Sequence, residues 1–375
     1  MAGMIVIADD ITGAAEIAGI AHSLGQPVRL SCSCDNWRCH EATSGTTVIA
    51  TDTRSMTESQ AVAETLRIAD TIMPLTAAVF KKTDSALRGH VVAELEALMQ
   101  ATGYRRAVYL PANPSKGRII RNGTYYIIKE RGEGRELIPI HETDFSFDPE
   151  FPATTSKLQK RFPDAASKSI IMPDAESTDD LFSMVRQYDD GKTLFAGAED
   201  LFSEYMKTSG AVVRAGRTGS PSRADWESGP GGLDESTLVL CGSTQSKPLD
   251  LGIAIAPMPR EIYDGSCNLS SWNTEAYRQQ HSLILTIPHT HRTGKEVAVH
   301  LRTMMARMAK QLIDYRRPAH LVIEGGATAW ATLQALGWTA FDIVRQIAPG
   351  VVQMRAHNGT LVTLKPGSYP WGGLF

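Results

Sequence analysis

The hydrophobic pattern in the first half of the chain alternates between two kinds of segment. Short apolar runs rich in Val and Ile, such as residues 5–8 and 47–50, are bounded by polar residues and predict buried strands. Longer stretches between them, such as residues 57–72, have the spacing of amphipathic helices. Strands that alternate with helices favour a mostly parallel sheet covered by helices. This half is therefore predicted to be an α/β domain.

The individual elements follow from the same pattern. Residues 124–165 have weak periodicity and several Pro and Asp residues, so we expect an excursion from the core there. The predicted strands of this half are 5–8, 47–50, 77–81, 107–110, 169–172 and 193–196, and the predicted helices are 13–24, 57–72, 91–100 and 178–188.

A second domain is predicted where this periodicity is lost. Gly, Ser and Pro accumulate between residues 209 and 236, as is typical of a linker. We therefore predict two Rossmann-like α/β domains with mainly parallel sheets, residues 1–225 and residues 226–375. The second is expected to contain strands 237–240, 283–287 and 321–323, helices after Pro248 and at 295–315 and 327–336, and a hairpin of 351–355 with 361–364 that turns at Asn358 and Gly359.

Composition narrows the possible classes of protein. The chain has 375 residues, of which 42% are hydrophobic and 21% charged, and its formal net charge is −3. This balance gives no reason to expect nucleic acid or an acidic membrane surface as a partner. No apolar stretch is long enough to span a bilayer, and no secretory segment precedes the first strand. The five cysteines form no regular framework, so we expect a reduced, cytoplasmic protein.

Candidate chemistry lies where three apolar runs of the first domain end. These runs read MIVIADDITGAA, TVIATDTRS and AAVFKKTDSALRG. In open α/β sheets the loops after the strands share one edge, and ligands bind there. Carboxylates could orient or deprotonate hydroxyl groups and cations could hold a carboxylate, so the ligand is predicted to be a polyhydroxy acid. The side chains expected to converge are Asp9, Asp10, Asp52, Arg54, Lys82, Asp84 and Arg88.

Each of these residues also has a purely structural interpretation. Asp9 and Asp10 could cap the following helix. Asp84 could cap a helix and pair with Arg88 one turn later, and Arg54 could be solvated on its loop. The two interpretations are compatible, because a capping carboxylate can also contact a ligand.

Three Gly-rich turns in the second domain suggest phosphate contacts. They read LCGSTQS, IEGGATAWATL and TLKPGS, and two of them directly follow predicted strands. None is a P-loop or a GxGxxG dinucleotide motif. A metal site is not predicted: Cys32, Cys34, Cys39 and His40 lack zinc-ribbon spacing, and His289 and His291 are assigned to a simple loop.

The motifs ADDITGAAE, ATDTRS, KKTDSALRG and PANPSKGRIIRNG, in this order, resemble the four-carbon acid sugar kinase family. LCGSTQS, EGGATA and LKPGS resemble the nucleotide-binding domain of that family, so the resemblance covers nearly the whole chain. It implies an ATP- and Mg²⁺-dependent kinase that phosphorylates the C4 hydroxyl of an acid such as threonate, erythronate or 3-oxo-tetronate. It also implies an active-site cleft between the two domains.

The resemblance assigns roles to matching residues, and the residue pattern adds Asp9 and Arg88 to the acid site. Asp84 or Asp10 is expected to be the catalytic base, and Arg54 to clamp the substrate carboxylate or steady the transferring phosphoryl group. Acid binding is implied for Asp10, Arg54, Lys82, Thr83, Asp84 and Ser85, and ATP binding for Ser243, Gly325, Gly326, Ala327, Thr328 and Gly367.

Several alternatives remain open at this point. The second half is shorter than is usual in the family, and CGST stands where a Ser-Gly-Ser start is more common. A non-catalytic sugar-acid sensor with a degenerate ATP site is therefore the main alternative, and a kinase of another small polyol or sugar acid is a second. An oxidoreductase is disfavoured because neither half has a dinucleotide fingerprint. The sequence leaves the oligomeric state open, with a homodimer as one possibility.

Overall fold

The chain divides into two compact units, Met1–Val213 and Arg214–Phe375, which we call unit 1 and unit 2. The predicted boundary at residue 225 falls within 209–235, outside the described residues, and stays a prediction. The computed structural model describes residues 3–33, 45–73, 78–131, 134–148, 150–208, 236–242, 249–266, 269, 272–288, 294–367, 369–371 and 373–375.

Unit 1 contains a parallel sheet with the strand order β2-β3-β1-β4-β10-β5-β9. Its strands and those of a small separate sheet are β1 (Met4–Ala8), β2 (Val28–Ser31), β3 (Thr46–Ala50), β4 (Ala78–Lys82), β5 (Arg106–Leu110), β6 (Arg118–Arg121), β7 (Thr124–Arg131), β8 (Gly134–Pro139), β9 (Ile170–Ile171) and β10 (Thr193–Gly197). Its helices are α1 (Ile11–Ser23), α2 (Glu58–Ile72), α3 (Val91–Thr102), α4 (Leu158–Arg161), α5 (Thr178–Tyr188) and α6 (Glu199–Thr208).

The register of this sheet brings the strand ends together. Every residue of β1, β3 and β10 is buried, as expected for parallel strands covered on both faces. Ala8 at the end of β1 pairs with Ala50 of β3 and with Lys82 of β4. Lys82 in turn pairs with Gly197 of β10. The residues that follow these strands therefore start from one edge, which we call the carboxyl edge of unit 1.

The predicted excursion from the core, residues 124–165, contains two strands of a small antiparallel sheet that the weak periodicity did not reveal, and the first strand of that sheet directly precedes it. Its strands β6, β7 and β8 pair as two hairpins. Asn122 and Gly123 both adopt positive φ, 51° and 65°, and close the first hairpin by a two-residue turn. Gly117, with φ 66°, ends the loop that leaves β5 and directly precedes β6.

Unit 2 has a mixed sheet with the order β12-β13-β11-β14-β17-β16-β15, in which β15 and β17 are antiparallel to β16. The ends of β11, β14 and β17 are in register, because Glu324 pairs with both Cys241 and Lys365. Its elements are β11 (Thr237–Cys241), β12 (Ala254–Pro257), β13 (Leu283–Thr286), β14 (His320–Glu324), β15 (Ala340–Ala348), β16 (Val351–Ala356), β17 (Leu361–Lys365), α7 (Arg260–Tyr263), α8 (Glu275–Arg278), α9 (Lys295–Tyr315) and α10 (Gly326–Leu336).

The predicted α/β class and nearly all predicted elements are confirmed, with shifts of one or two residues at their ends. The predicted helix after Pro248 is wrong over the described residues 249–253, which precede β12 without forming a helix. The strands β2, β6, β7, β8, β12 and β15 and the helices α4, α6, α7 and α8 were not predicted. None of the described helices combines the length and apolar character needed to cross a membrane.

Candidate functional site

The carboxyl edge of unit 1 brings together acidic residues from two strands and a basic residue from a third. Asp9 and Asp10 follow β1, and Asp10 also caps α1 by accepting a hydrogen bond of 3.1 Å from the Gly13 backbone N–H. Arg54 lies in a short 3-10 turn, Thr53–Ser55, that follows β3. Asp84 follows β4. Three of the residues that the sequence singled out therefore surround Arg54.

Arg54 is almost completely engaged by carboxylates of the chain. Its Nε and Nη2 atoms each donate a hydrogen bond of 2.9 Å to Asp9, which is the bidentate geometry that arginine favours. Nη2 also donates to Asp10 at 3.0 Å, and Nη1 lies 3.6 Å from Asp84. Although burial opposes its charge, the carboxylates of Asp10 and Asp9 raise the pKa of Arg54 well above its usual value. One partly buried guanidinium thus holds three acidic side chains.

Asp84 receives a second cation from its own segment. Arg88 donates from Nε and Nη2 to the two carboxylate oxygens at 2.9 and 2.8 Å, and the backbone N–H of Ala86 adds a bond of 2.8 Å. Burial alone would raise the pKa of Asp84, but Arg88 and Arg54 outweigh it and hold the pKa well below its usual range. Arg88 also donates to Asp148 at 3.2 Å. Asp84 is therefore ionised throughout the physiological pH range.

Asp9 and Asp10 differ in the balance of the same effects. Burial raises the pKa of Asp9 above its ordinary value. For Asp10, burial is outweighed by Arg54 and Lys82, which lower the pKa. Adjacent carboxyl groups in one site thus have pKa values that are pushed in opposite directions, an arrangement found where acid and base roles are divided.

The two neighbouring lysines of β4 serve different parts of the molecule, because successive side chains of a strand point to opposite faces. Lys81 donates at 2.5 Å to the buried Glu94 of α3, which also accepts a bond of 2.9 Å from Thr53 beside Arg54. Lys82 instead lies 3.6 Å from Glu16 of α1. Lys81 is thus part of the framework of the site, and Lys82 faces the acidic residues.

A second ionic cluster adjoins Lys82. Lys116, in the loop after β5, lies 2.7 Å from both Glu16 and Glu199. Burial raises the pKa of Glu16, and a hydrogen bond with Glu199 acts in the same direction. For Lys82, burial acts against the charge, but Glu16 and Asp10 outweigh it and raise the pKa. The cluster therefore keeps Lys82 charged and favours a proton on Glu16.

Ser85 and two buried hydroxyl groups complete this edge. The Ser85 hydroxyl accepts a hydrogen bond from Arg118, and its carbonyl accepts one from the hydroxyl of Tyr125. The hydroxyl groups of Thr83 and Tyr109 are buried and have no hydrogen-bond partner among the described residues. A buried hydroxyl without a partner is costly, so a water or ligand oxygen is expected to satisfy these groups.

In unit 2 the matching strand ends form a turn lined by glycines. Gly242 follows β11, and a Cβ atom placed on it would lie 2.6 Å from the Cβ of Thr328 in α10. Only glycine permits this approach, because rotation of the threonine side chain cannot move its Cβ. Gly325 has φ 94° and precedes α10, whose first turn has no side-chain cap. The uncapped N–H groups of such a helix start are suited to an anion.

A buried ion pair holds the third strand end of unit 2 in place. Lys365 donates to Glu324 at 2.6 Å and to the carbonyl oxygens of Pro366 and Gly367 at 3.1 and 3.2 Å. Its ammonium group also lies 4.7 Å from the centre of the Trp371 ring. The second carboxylate oxygen of Glu324 is buried and has no partner among the described residues. Lys365 therefore positions Gly367, and the free oxygen of Glu324 can accept a hydrogen bond.

The structure places the predicted site residues in two groups. Asp52, which was expected to converge with the other acidic residues, accepts a hydrogen bond of 2.5 Å from Ser55 in its own turn. Ser243, Cys34, Cys39, His40, His289 and His291 lie outside the described residues. The group at the carboxyl edge of unit 1 contains Asp9, Asp10, Arg54, Lys82, Thr83, Asp84, Ser85 and Arg88, and the group in unit 2 contains Gly325, Gly326, Ala327, Thr328 and Gly367.

Several residues of the site escaped prediction. Lys116 and Arg118 lie in the PANPSKGRIIRNG segment, and their position after a strand of the same edge was an available signal. Glu16 lies in the second turn of α1, and the sequence alone does not distinguish it from other polar residues of a helix. Glu199 opens α6, a helix that was not predicted.

The chain matches two family models, one in each unit. The first is described as a sugar-binding N-terminal domain and matches residues 4–190, and the second is described as a nucleotide-binding C-terminal domain and matches residues 271–369. The acidic cluster thus lies within the match to a sugar-binding domain. The glycine-lined turns after β14 and β17 lie within the match to a nucleotide-binding domain.

Three curated relatives are similar to this chain, two of them over most of its length. A D-threonate kinase of Bordetella bronchiseptica is 24% identical over 386 residues, which cover 92% of this chain and 88% of that protein. A 3-oxo-tetronate kinase of Brucella melitensis biotype 1 is 24% identical over 413 residues, which cover 97% of this chain and 92% of that protein. A D-threonate kinase of Salmonella typhimurium is 30% identical over 157 residues, covering 41% of this chain and 35% of that protein.

Two solved structures share the fold over the whole length of the chain. One is a Salmonella typhimurium LT2 protein described as a putative tRNA synthase, with a TM-score of 0.70, 19% identity and coverage of 100% of this chain and 98% of that one. The other is a Haemophilus influenzae protein of the DUF1537 family, with a TM-score of 0.65, 18% identity and coverage of 99% and 98%. At these identities the likeness concerns the fold alone.

Replacing Arg54 by Met should destabilise unit 1 in a pH-dependent way. Removal of one partner from a buried ion pair costs about 3–5 kcal/mol, because it leaves buried charge uncompensated. Without Arg54 the folded-state pKa of Asp9, which burial already raises, should rise further, and that of Asp10 should rise towards or above the unfolded value of about 3.9, while Asp84 keeps its pair with Arg88. The stability deficit should therefore be largest at pH 8 and shrink as the pH falls towards 5, because the folded state then takes up protons.

Chemical denaturation of both proteins at several pH values measures this deficit. Arg67→Met is the matched control, since Arg67 forms an exposed pair with Glu64 on α2 and such pairs contribute about 0–1 kcal/mol. A deficit that is independent of pH, or no larger than that of the control, would contradict the assigned role of Arg54.

Replacing Gly242 by Ala should displace α10 from the end of β11. The added methyl group would overlap the Thr328 side chain, and overpacking of this kind costs about 1–3 kcal/mol. We expect a lower melting temperature and weaker ATP binding by calorimetry. Gly373→Ala is the control, because a Cβ atom at Gly373 meets no atom within 4 Å. Unchanged ATP affinity in the Gly242 variant would exclude the turn after β11 from the nucleotide site.

Proposed function

This chain belongs to the four-carbon acid sugar kinase family, and we propose that it transfers the terminal phosphoryl group of ATP to the C4 hydroxyl of a four-carbon sugar acid. Threonate, erythronate and 3-oxo-tetronate are the acids that we consider. The observation that carries the proposal is the group of three carboxylates around Arg54 in the unit that matches a sugar-binding domain. Use of ATP places the enzyme in the cytoplasm under this proposal.

The acidic cluster is suited to the sugar acid, which is the phosphoryl acceptor in this reaction. Phosphoryl transfer requires that the attacking hydroxyl be oriented and that a nearby group accept its proton. Asp84 and Asp10 are both ionised and lie on either side of Arg54, so either can accept the proton of the C4 hydroxyl. We propose that Arg54 contributes to catalysis by holding these two carboxylates in place. The neighbouring ammonium group of Lys82 is available to stabilise the negative charge of the transferring phosphoryl group.

The glycine-lined turns of unit 2 are suited to ATP, which is the phosphoryl donor. We propose that the backbone N–H groups of Gly326, Ala327 and Thr328 hold the ATP phosphates, because no side chain caps the start of α10. Gly367 would approach the nucleotide through its backbone, with its turn fixed by Lys365. Mg²⁺ would neutralise the phosphates and be held largely by phosphate and water oxygens. Ser243 remains a proposed contact of the nucleotide.

The test of this proposal is ADP release from Mg-ATP with a panel of acids. The panel contains D- and L-threonate, D- and L-erythronate and their 3-oxo forms, and turnover of at least one acid is expected. If no acid is phosphorylated while one of them raises the melting temperature, the non-catalytic sensor is favoured instead. If NAD(P) raises the melting temperature and no acid does, the kinase proposal fails.

Replacing Asp84 by Asn should abolish turnover and leave the fold intact. The amide keeps the shape of the carboxylate but cannot accept the proton, so we expect a decrease in kcat of about 10²–10⁴-fold. Asp10→Asn is the matched variant, because Asp10 is the other candidate base. The variant with the larger decrease in kcat, measured at a temperature at which both variants are fully folded, identifies the base. Turnover close to that of the wild type for Asp84→Asn would exclude Asp84 from that role.

A further inference from the structure

The cations at the carboxyl edge of unit 1 differ in whether the chain itself neutralises them. Arg54, Lys82, Arg88 and Lys116 each have a carboxylate oxygen within 3.6 Å. For Arg118, in contrast, no carboxylate lies within ion-pairing distance among the described residues, and its guanidinium hydrogen-bonds the neutral hydroxyl of Ser85. Arg118 therefore has no direct ion-pair partner among the described residues, although its charge helps to lower the pKa of Asp84, and its free donors remain available to a ligand.

The backbone of Arg118 is held firmly. Its N–H donates to the carbonyl of Asn113 at 3.1 Å, and its own carbonyl accepts from the Asn113 N–H at 2.8 Å. The Asn113 side chain in turn donates to Glu199 at 3.1 Å and accepts from the Asp200 backbone at 3.3 Å. This double bridge ties the start of β6 to the start of α6. The position of Arg118 is thus built into the framework of unit 1.

The guanidinium group is also oriented by its neighbours. It lies 5.5 Å from the centre of the Phe145 ring, within the range of a cation–π contact. Its Nη1 atom donates to Ser85, the residue that follows Asp84, and the buried Tyr125 fixes the backbone of Ser85 through its hydroxyl group. The remaining donors of the planar group have no partner among the described residues. A planar fork with free donors matches the geometry of a carboxylate.

We infer that Arg118 and the Ser85 hydroxyl form the subsite for the C1 carboxylate of the sugar acid, an inference that rests on the proposed kinase function. Arg54 cannot readily take this part, because its donors already contact Asp9 and Asp10. Asp84 immediately precedes Ser85 in the chain, so the acid would be held by its carboxylate next to the candidate base. Arg118 would then determine the preference for acids over neutral polyols.

The test is calorimetric binding of D-threonate and D-erythronate, without nucleotide, to the wild type and three variants. Loss of a charge-assisted bidentate pair corresponds to about a 10- to 100-fold weaker binding, which is expected for Arg118→Met. Arg118→Lys should recover part of the affinity, since it keeps the charge but not the fork. Arg121→Met is the matched control on the same strand, because Arg121 is exposed and pairs with Glu176, and its affinity should equal that of the wild type.

Two results would overturn the inference. The first is binding of the acids by Arg118→Met with the affinity of the wild type. The second is an equal loss of affinity in Arg118→Met and Arg118→Lys together with a lower melting temperature in both, which would indicate a structural role. Turnover of ATP tests the proposed function separately. If acid binding depends on Arg118 but no acid is phosphorylated, the inference about the subsite stands and the proposed kinase function is rejected.

Discussion

The carboxylates that the parallel strands of unit 1 place at one edge repel one another. The rest of unit 1 depends on how this repulsion is overcome. Asp9, Asp10 and Asp84 follow two adjacent strands that are in register, so the fold leaves them little freedom to separate. Arg54, from the third strand, contacts all three. The guanidinium can do this because it has five donors in one plane and keeps its charge when buried. The arginine just beyond the end of β3 is therefore the one cation that contacts all three carboxylates among the described residues.

The framework around Arg54 follows from the alternation of side chains along β4. Lys81 and Lys82 are adjacent residues of the same type, yet Lys81 pairs with Glu94 and Lys82 lies beside Glu16. Glu94 also accepts a hydrogen bond from Thr53, the residue before Arg54. The buried pair thus fixes the turn that carries Arg54. A buried ion pair contributes little net stability, but it sets the geometry of the groups around it.

The sequence predicted the residues whose position depends on a single strand end, and it missed those that depend on tertiary contacts. Asp10, Arg54 and Asp84 each follow an apolar run within a few residues, so the topology alone brings them together. Arg118 enters the site from β6, whose sheet lies in a segment with weak periodicity. Glu199 belongs to α6, which was not predicted, and its link to Asn113 spans 86 residues. Periodicity is local and cannot report contacts of that kind.

A site this rich in carboxylates must still accept an anionic substrate, and the pattern of pairing explains how. Arg54, Lys82, Arg88 and Lys116 each lie within 3.6 Å of a carboxylate oxygen, so they offset much of the negative charge at this edge that would repel an anionic ligand. Burial also raises the pKa of Asp9 and of Glu16, which favours bound protons over additional negative charge. Once the interior is balanced in this way, one further cation is enough to favour an acid over a neutral polyol. Because Arg118 is held by backbone bonds rather than by a carboxylate, its charge can serve that purpose.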